Sequence, residues 1–196
     1  MHSQRASCVQ TPKFLHHHRP ATSALGDFTT GTFFNRVIDD GKGSDNTRHL
    51  ARDRSGRPYL ADPQAIARVI LCSGQIYYHL SNARRARRIA NIVLVRLEQI
   101  APFPHDIVLR VLRQYPNAEL VWCQEEPKNQ GAWGYVRCAA SCFASLVQSA
   151  SVACGTGSDH FAAPQMTSVE LRSGQSQCHR QLMHSAQGLR SRKQHT

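Results

Sequence analysis

The stretch VWCQEEPKNQGAWGYV, residues 121–136, sets two adjacent carboxylates, Glu125 and Glu126, between an apolar run and a glycine beside aromatics. Such a pair can act as general acid and base when a cleft raises one pKa. The sequence shows neither a cleft nor a shift. The same pair can equally serve as a subunit contact or as the solvated end of a strand. Residue types alone leave these three readings open.

Other candidate chemistry is thinner. Seven cysteines stand at positions 8, 72, 123, 138, 142, 154 and 178, and no two have the two-residue gap of a zinc ribbon. Cys72 and Cys123 fall inside apolar runs, where a reduced thiol behaves as a small buried hydrophobe. Cys138 and Cys142, four apart on an expected helix, share a face suited to packing. This usage fits a reducing compartment. His16, His17 and His18 are consecutive, so their side chains diverge and make a poor metal set. No metal site is expected.

The elements that must position these residues are readable from apolar patterning. ARVILC (67–72), NIVLVRL (91–97) and AELVWCQ (118–124) lack the alternation of a half-exposed strand and read as strands buried on both faces. The intervals between them leave room for helices. In QIYYHLSNARRARRIA, Ile76, Leu80 and Ala83 line one side, and Arg84, Arg85, Arg87 and Arg88 fall in the last turns, where cations suit the helix dipole. That arginine cluster reads as a solvated face, or as a contact to an acidic neighbouring domain. A second helix begins near Pro104, with Ile107, Val108, Val111 and Leu112 as its apolar face. A third runs from about Ala132 to Leu146. Strand–helix repeats of this kind predict an α/β, three-layer, mostly parallel sheet. Residues 39–64 are polar and rich in Gly and Asp, and read as an exposed loop. From 147 to 196 the periodicity fades into a divergent tail expected to be disordered.

The formal net charge is +11, yet residues 101–146 balance Arg110, Arg113, Lys128 and Arg137 against Asp106, Glu119, Glu125 and Glu126. The excess sits in loops and flanks. A nucleic-acid binder concentrates charge on one folded face with interleaved aromatics, so the distribution argues against that partner. No apolar run approaches the ~20 residues that span a bilayer.

Five stretches in order, TPKFL (11–15), GDFTTGTFFNRVI (26–38), VILCSGQIYYHL (69–80), VRLEQIAPFPHDIV (95–108) and YPNAELVWCQEEPKNQGAW (115–133), carry a family pattern. Together they resemble the carboxyl-terminal region of the decarboxylating subunits of 2-oxoglutarate dehydrogenase and the related 2-oxoadipate dehydrogenase. The resemblance covers roughly residues 11–137. It implies a fold like the carboxyl-terminal domain of transketolase-like thiamine enzymes, and a domain running 26–146 after a remnant of the preceding domain at 1–25. For the full-length enzyme it implies thiamine diphosphate and magnesium, a homodimer partner and a lipoyl-bearing succinyltransferase core. It also implies a place in the tricarboxylic acid cycle, in the mitochondrial matrix of a eukaryote or the cytoplasm of a bacterium. The family's cofactor residues lie upstream, and no Gly-Asp-Gly stretch followed by a metal-binding Asn occurs here. The chain alone is therefore expected to bind no cofactor and to carry no catalytic residue.

The first 26 residues are free of acid, as in a transit peptide, but the motif beginning at Thr11 argues against that reading. Beyond Leu146 the family's further strand is not recognisable, so an edge strand is expected to be missing.

The resemblance places residues 124–133 at a strand-to-helix turn on the carboxyl edge of the sheet, where open α/β sheets bind ligands or neighbours. Glu125, Glu126, Asn129, Gln130 and Gly131 are accordingly expected to form an interface. Gly131 lets the chain pass closely, and Glu126 or Asn129 would take free amides of the next helix. Gln99 matches a position that belongs to an acetyl-CoA regulatory site in some bacterial relatives. Asp106 and Ile107 replace the basic pair found there, and a strand-end amide capping its loop is the plainer reading. The rival function is a basic adaptor for nucleic acid or an acidic protein.

Overall fold

The computed structural model describes residues 11–41, 51–52, 56–127 and 129–140, together with the backbone of 167–170. The chain divides into two units, the first ending at Phe34 and the second beginning at Asn35. In the first unit, Lys13–His17 and Leu25–Phe28 form short 3-10 turns with no buried residue.

The second unit is built on a five-stranded sheet. Its strands are β1 (Val37–Asp39), β2 (Arg68–Cys72), β3 (Ile92–Leu97), β4 (Glu119–Gln124) and β5 (Thr167–Glu170), in the order β1-β3-β2-β4-β5. The three strands read from apolar runs pair in parallel, with Ile70 beside Leu94 and Val121. β1 is an antiparallel edge, Ile38 opposite Arg96. β5 runs parallel to β4, Val121 beside Thr167. The missing edge strand of the sequence reading is thus corrected: four residues within the weakly patterned tail form it. Too few apolar residues occur there to show a period, and backbone pairing with β4 makes the strand.

Helices cover both faces. On one, α1 (Ile76–Ala86) sets Ile76 and Leu80 against Ile70, Cys72, Ile92, Leu94, Val121 and Cys123. On the other, α2 (His105–Gln114) brings Val108, Val111 and Leu112 onto Val69, Leu71, Val93, Val95, Leu120 and Trp122. Residues 133–140 are helical (α3) and add Val136 to this second core. Each core strand alternates between the two clusters because successive side chains point to opposite faces. Burial of each aliphatic side chain contributes about 1.5–3 kcal/mol. Cys72 and Cys123 are buried, as their runs suggest, whereas Cys138 is exposed rather than packed. Cys142 and the end of the third helix lie outside the described residues. No helix among those described is long and apolar enough to cross a membrane.

Two further expectations are corrected. The polar segment from residue 39 is not exposed at its start: Asp39 is 6% exposed and Asp40 1%. Arg84 does not belong to a solvated face and is wholly buried. The two corrections are one event, because Arg84 and Asp40 pair. Composition cannot reveal a partner 44 residues away.

Candidate functional site

The turn after β4 is organised by its last residue, Gln124, which strand alternation puts on the buried face that carries Leu120 and Trp122. A buried carboxamide must satisfy both its acceptor and its donors. Its Oε1 accepts from the Trp122 indole N–H at 2.9 Å and from the Trp133 backbone N–H at 3.0 Å. Its Nε2 donates to the carbonyls of Glu126, Pro127 and Gln130 at 3.0, 3.1 and 2.8 Å. One side chain therefore ties the strand end, the loop and the start of α3 together.

The amide of the first helical turn goes to Gln124, not to Glu126 or Asn129, which corrects that detail of the sequence reading. Gln124 itself escaped it. A signal was present: a glutamine closing a buried strand, between two tryptophans whose N–H groups need acceptors.

Gly131 behaves as expected. Its φ is +69°, and a Cβ there would lie 3.0 Å from the Gln124 amide nitrogen and 3.0 Å from Glu126 Oε2. Glu125, Glu126, Asn129 and Gln130 are exposed around this packed knot. The turn is thus rigid inside and polar outside. Gln99 sits elsewhere on the same edge, past the end of β3. Its backbone N–H donates to the Arg36 carbonyl at 3.1 Å and its side-chain amide to the Pro102 carbonyl at 2.7 Å, so it caps its loop. Asp106 pairs with Arg36 at 2.8 Å, and this hydrogen bond holds its carboxyl below the usual range.

A second polar cluster lies at the β1 edge. Asp40 accepts from two Arg84 nitrogens at 3.2 and 2.5 Å and from the Leu94 backbone N–H at 2.9 Å. Arg84 also donates to the Ile92 carbonyl at 2.9 Å and the Tyr59 hydroxyl at 2.9 Å. Asp39 accepts from the Tyr115 hydroxyl at 2.8 Å and the Gly41 backbone N–H at 2.8 Å. Burial pushes Asp39 up to about 6, against the hydrogen bonds from Gly41 and Tyr115 that favour its charge. A side chain at Gly41 would run into Tyr115. The cluster pins β1 to both helical layers, since Tyr115 follows α2 and Arg84 lies on α1.

Neither cluster fits thiamine diphosphate with magnesium. Among the described residues no group of three or more His, Cys, Asp or Glu side chains could hold a metal ion. Both carboxylates of the buried cluster are engaged by Arg84 and Tyr115. His16 and His17 are exposed, and the His18 ring lies 4.8 Å from that of Phe14.

Comparison with known proteins gives a consistent picture. Residues 22–169 match the family described as 2-oxoglutarate dehydrogenase C-terminal, a span that takes in most of β5 and begins after TPKFL. Over 130 residues the chain is 42% identical to the 2-oxoglutarate dehydrogenase E1 component of Cupriavidus necator, covering 66% of this chain and 12% of that protein. It is 37% identical over 157 residues to the mitochondrial 2-oxoglutarate dehydrogenase-like protein of Xenopus laevis, covering 80% of this chain and 14% of that one. The E1 component of Brucella abortus is 36% identical over 128 residues, or 65% of this chain and 12% of that protein. The chain therefore spans roughly an eighth of the length of these relatives.

Proposed function

Because this chain belongs to the 2-oxoglutarate dehydrogenase C-terminal family, we propose that it is the architectural domain of a decarboxylating E1 subunit. The subunit as a whole would decarboxylate 2-oxoglutarate with thiamine diphosphate and magnesium and pass the succinyl group to a lipoyl-bearing core. This domain would contribute dimer contacts through Glu125, Glu126, Asn129, Gln130 and Gly131, and no catalytic residue. Its fold would be that of the carboxyl-terminal domain of transketolase-like enzymes, with the domain proper beginning near residue 26. The bacterial and mitochondrial relatives support placement in a bacterial cytoplasm or a mitochondrial matrix. The basic-adaptor reading finds no support in the family match.

The carrying observation is the knot at Gln124: a turn on the sheet's carboxyl edge, fixed by one buried amide, that presents four polar side chains outward. Such an edge suits a neighbour. The test replaces the matched region of the Cupriavidus necator E1 component by this chain. The chimaera should dimerise and release carbon dioxide from 2-oxoglutarate, while the 196-residue chain alone should do neither. Turnover by the isolated chain would defeat the proposal. So would a relative that dimerises and turns over normally once its matched region is deleted.

A further inference from the structure

The residues leading into the α/β domain are built inside out. Between Ala24 and Thr32 three polar side chains bond to their own segment. The Asp27 carboxylate accepts from the Ala24 backbone N–H at 2.9 Å. The Thr29 hydroxyl donates to the Gly26 carbonyl at 2.9 Å, and the Thr32 hydroxyl is within 2.8 Å of the carbonyls of Asp27 and Thr29. Leu25, Phe28, Phe33 and Phe34 are left 86, 76, 89 and 70% exposed. The second unit shows no such habit: Tyr135, at 46%, is its one large exposed hydrophobic among the described residues. Single exposed apolar side chains are ordinary, but four within ten residues concentrate apolar surface in one segment, which marks an interaction surface.

We infer that this arm, residues 25–34, docks through Leu25, Phe28, Phe33 and Phe34 into an apolar groove on the preceding part of its own E1 subunit. The occupant follows from length and position. The family match begins at residue 22, so the arm belongs to the family region, and the relatives carry about seven times as much chain outside the matched part. In a full-length relative the arm would stand at the start of the carboxyl-terminal family region, where that region meets the rest of the subunit. Asp27, the arm's one charged side chain, accepts from the Ala24 amide, so the docking contacts fall to the four apolar side chains. The inference rests on the architectural reading above and names the surface by which the domain joins the cofactor-bearing part.

Chymotrypsin, which cuts after Phe, reads the arm directly in the full 196-residue chain and in the Cupriavidus necator chimaera. Cleavage after Phe28, Phe33 and Phe34 should be slowed about tenfold or more in the chimaera, as burial requires. The triple variant Phe28→Ser/Phe33→Ser/Phe34→Ser should lower the chimaera's unfolding temperature and leave the isolated chain's transition unmoved. The corresponding Phe→Leu triple should restore it. A chimaera that dimerises and turns over, yet is cut as fast as the isolated chain, sinks the docked arm and spares the architectural reading. A protected arm in a chimaera that neither dimerises nor turns over does the reverse. Protection already present in the isolated chain overturns the inference: in favour of a second copy if sedimentation shows a dimer that the Ser triple dissolves, or of a lipid surface if it requires phosphatidylcholine vesicles.

Discussion

Arg84 and Asp40 form a bidentate ion pair with side chains 0 and 1% exposed, joining α1 to the end of the edge strand β1. The remaining polar atoms of the pair are met by Leu94, Ile92 and Tyr59. A buried pair of this kind adds little net stability over an apolar replacement, but losing one partner strands a charge.

Asp40→Ala should therefore cost about 3–5 kcal/mol in urea unfolding. The double variant Asp40→Ala/Arg84→Met should cost clearly less than the sum of the two single changes. Simple additivity would mean that the pair is not coupled.

Asp39 gives a pH signature of defined sign. Its folded value of about 6 stands above the ordinary 3.8, so the folded state holds this proton more tightly than the unfolded chain. That contribution is complete below about pH 4 and is lost as pH rises through about 6, on the order of 3 kcal/mol at 1.4 kcal/mol per unit. Asp39→Asn should remove it. The stability difference between wild type and variant should thus shift against wild type from pH 4 to 6. A shift in the opposite direction would refute the buried, proton-retaining carboxyl. Asp40, Arg84 and Tyr115 face the group and remain unchanged in the comparison.

Gln124→Glu is nearly isosteric yet should be costly. An oxygen would replace the Nε2 that donates to three carbonyls, leaving acceptor against acceptor, at about 1–3 kcal/mol or more if the group stays charged. Loss of the Trp133 protection from hydrogen exchange should accompany it. Unchanged stability at neutral pH would show that the knot does not hold the turn.

Gly131→Val should cost on the order of 1–3 kcal/mol, from positive φ and from contact with the Gln124 amide and Glu126. Glu125→Gln, at an exposed position, should cost under ~1 kcal/mol. Both belong in the chimaera as well, following dimer assembly and turnover. If Glu125→Gln or Glu126→Gln abolished turnover with stability and assembly intact, the carboxylates would be doing chemistry.

The sequence by itself determined the three central strands, the two helices between them and the glycine of the turn. Runs such as VILC and IVLVRL are apolar on both faces and need a helix on each side, and Gly131 stands where a side chain meets its neighbours. These are local properties, visible in a window of a few residues. Only the tertiary structure decided which polar groups go inside. Asp39, Asp40, Arg84 and Gln124 each look solvated in their own neighbourhood. Each is buried because partners far along the chain, or across a loop, offer the opposite half of a hydrogen bond. The same holds for β5, whose four residues lie in a stretch with no apolar period and which exists as a strand through its pairing with β4.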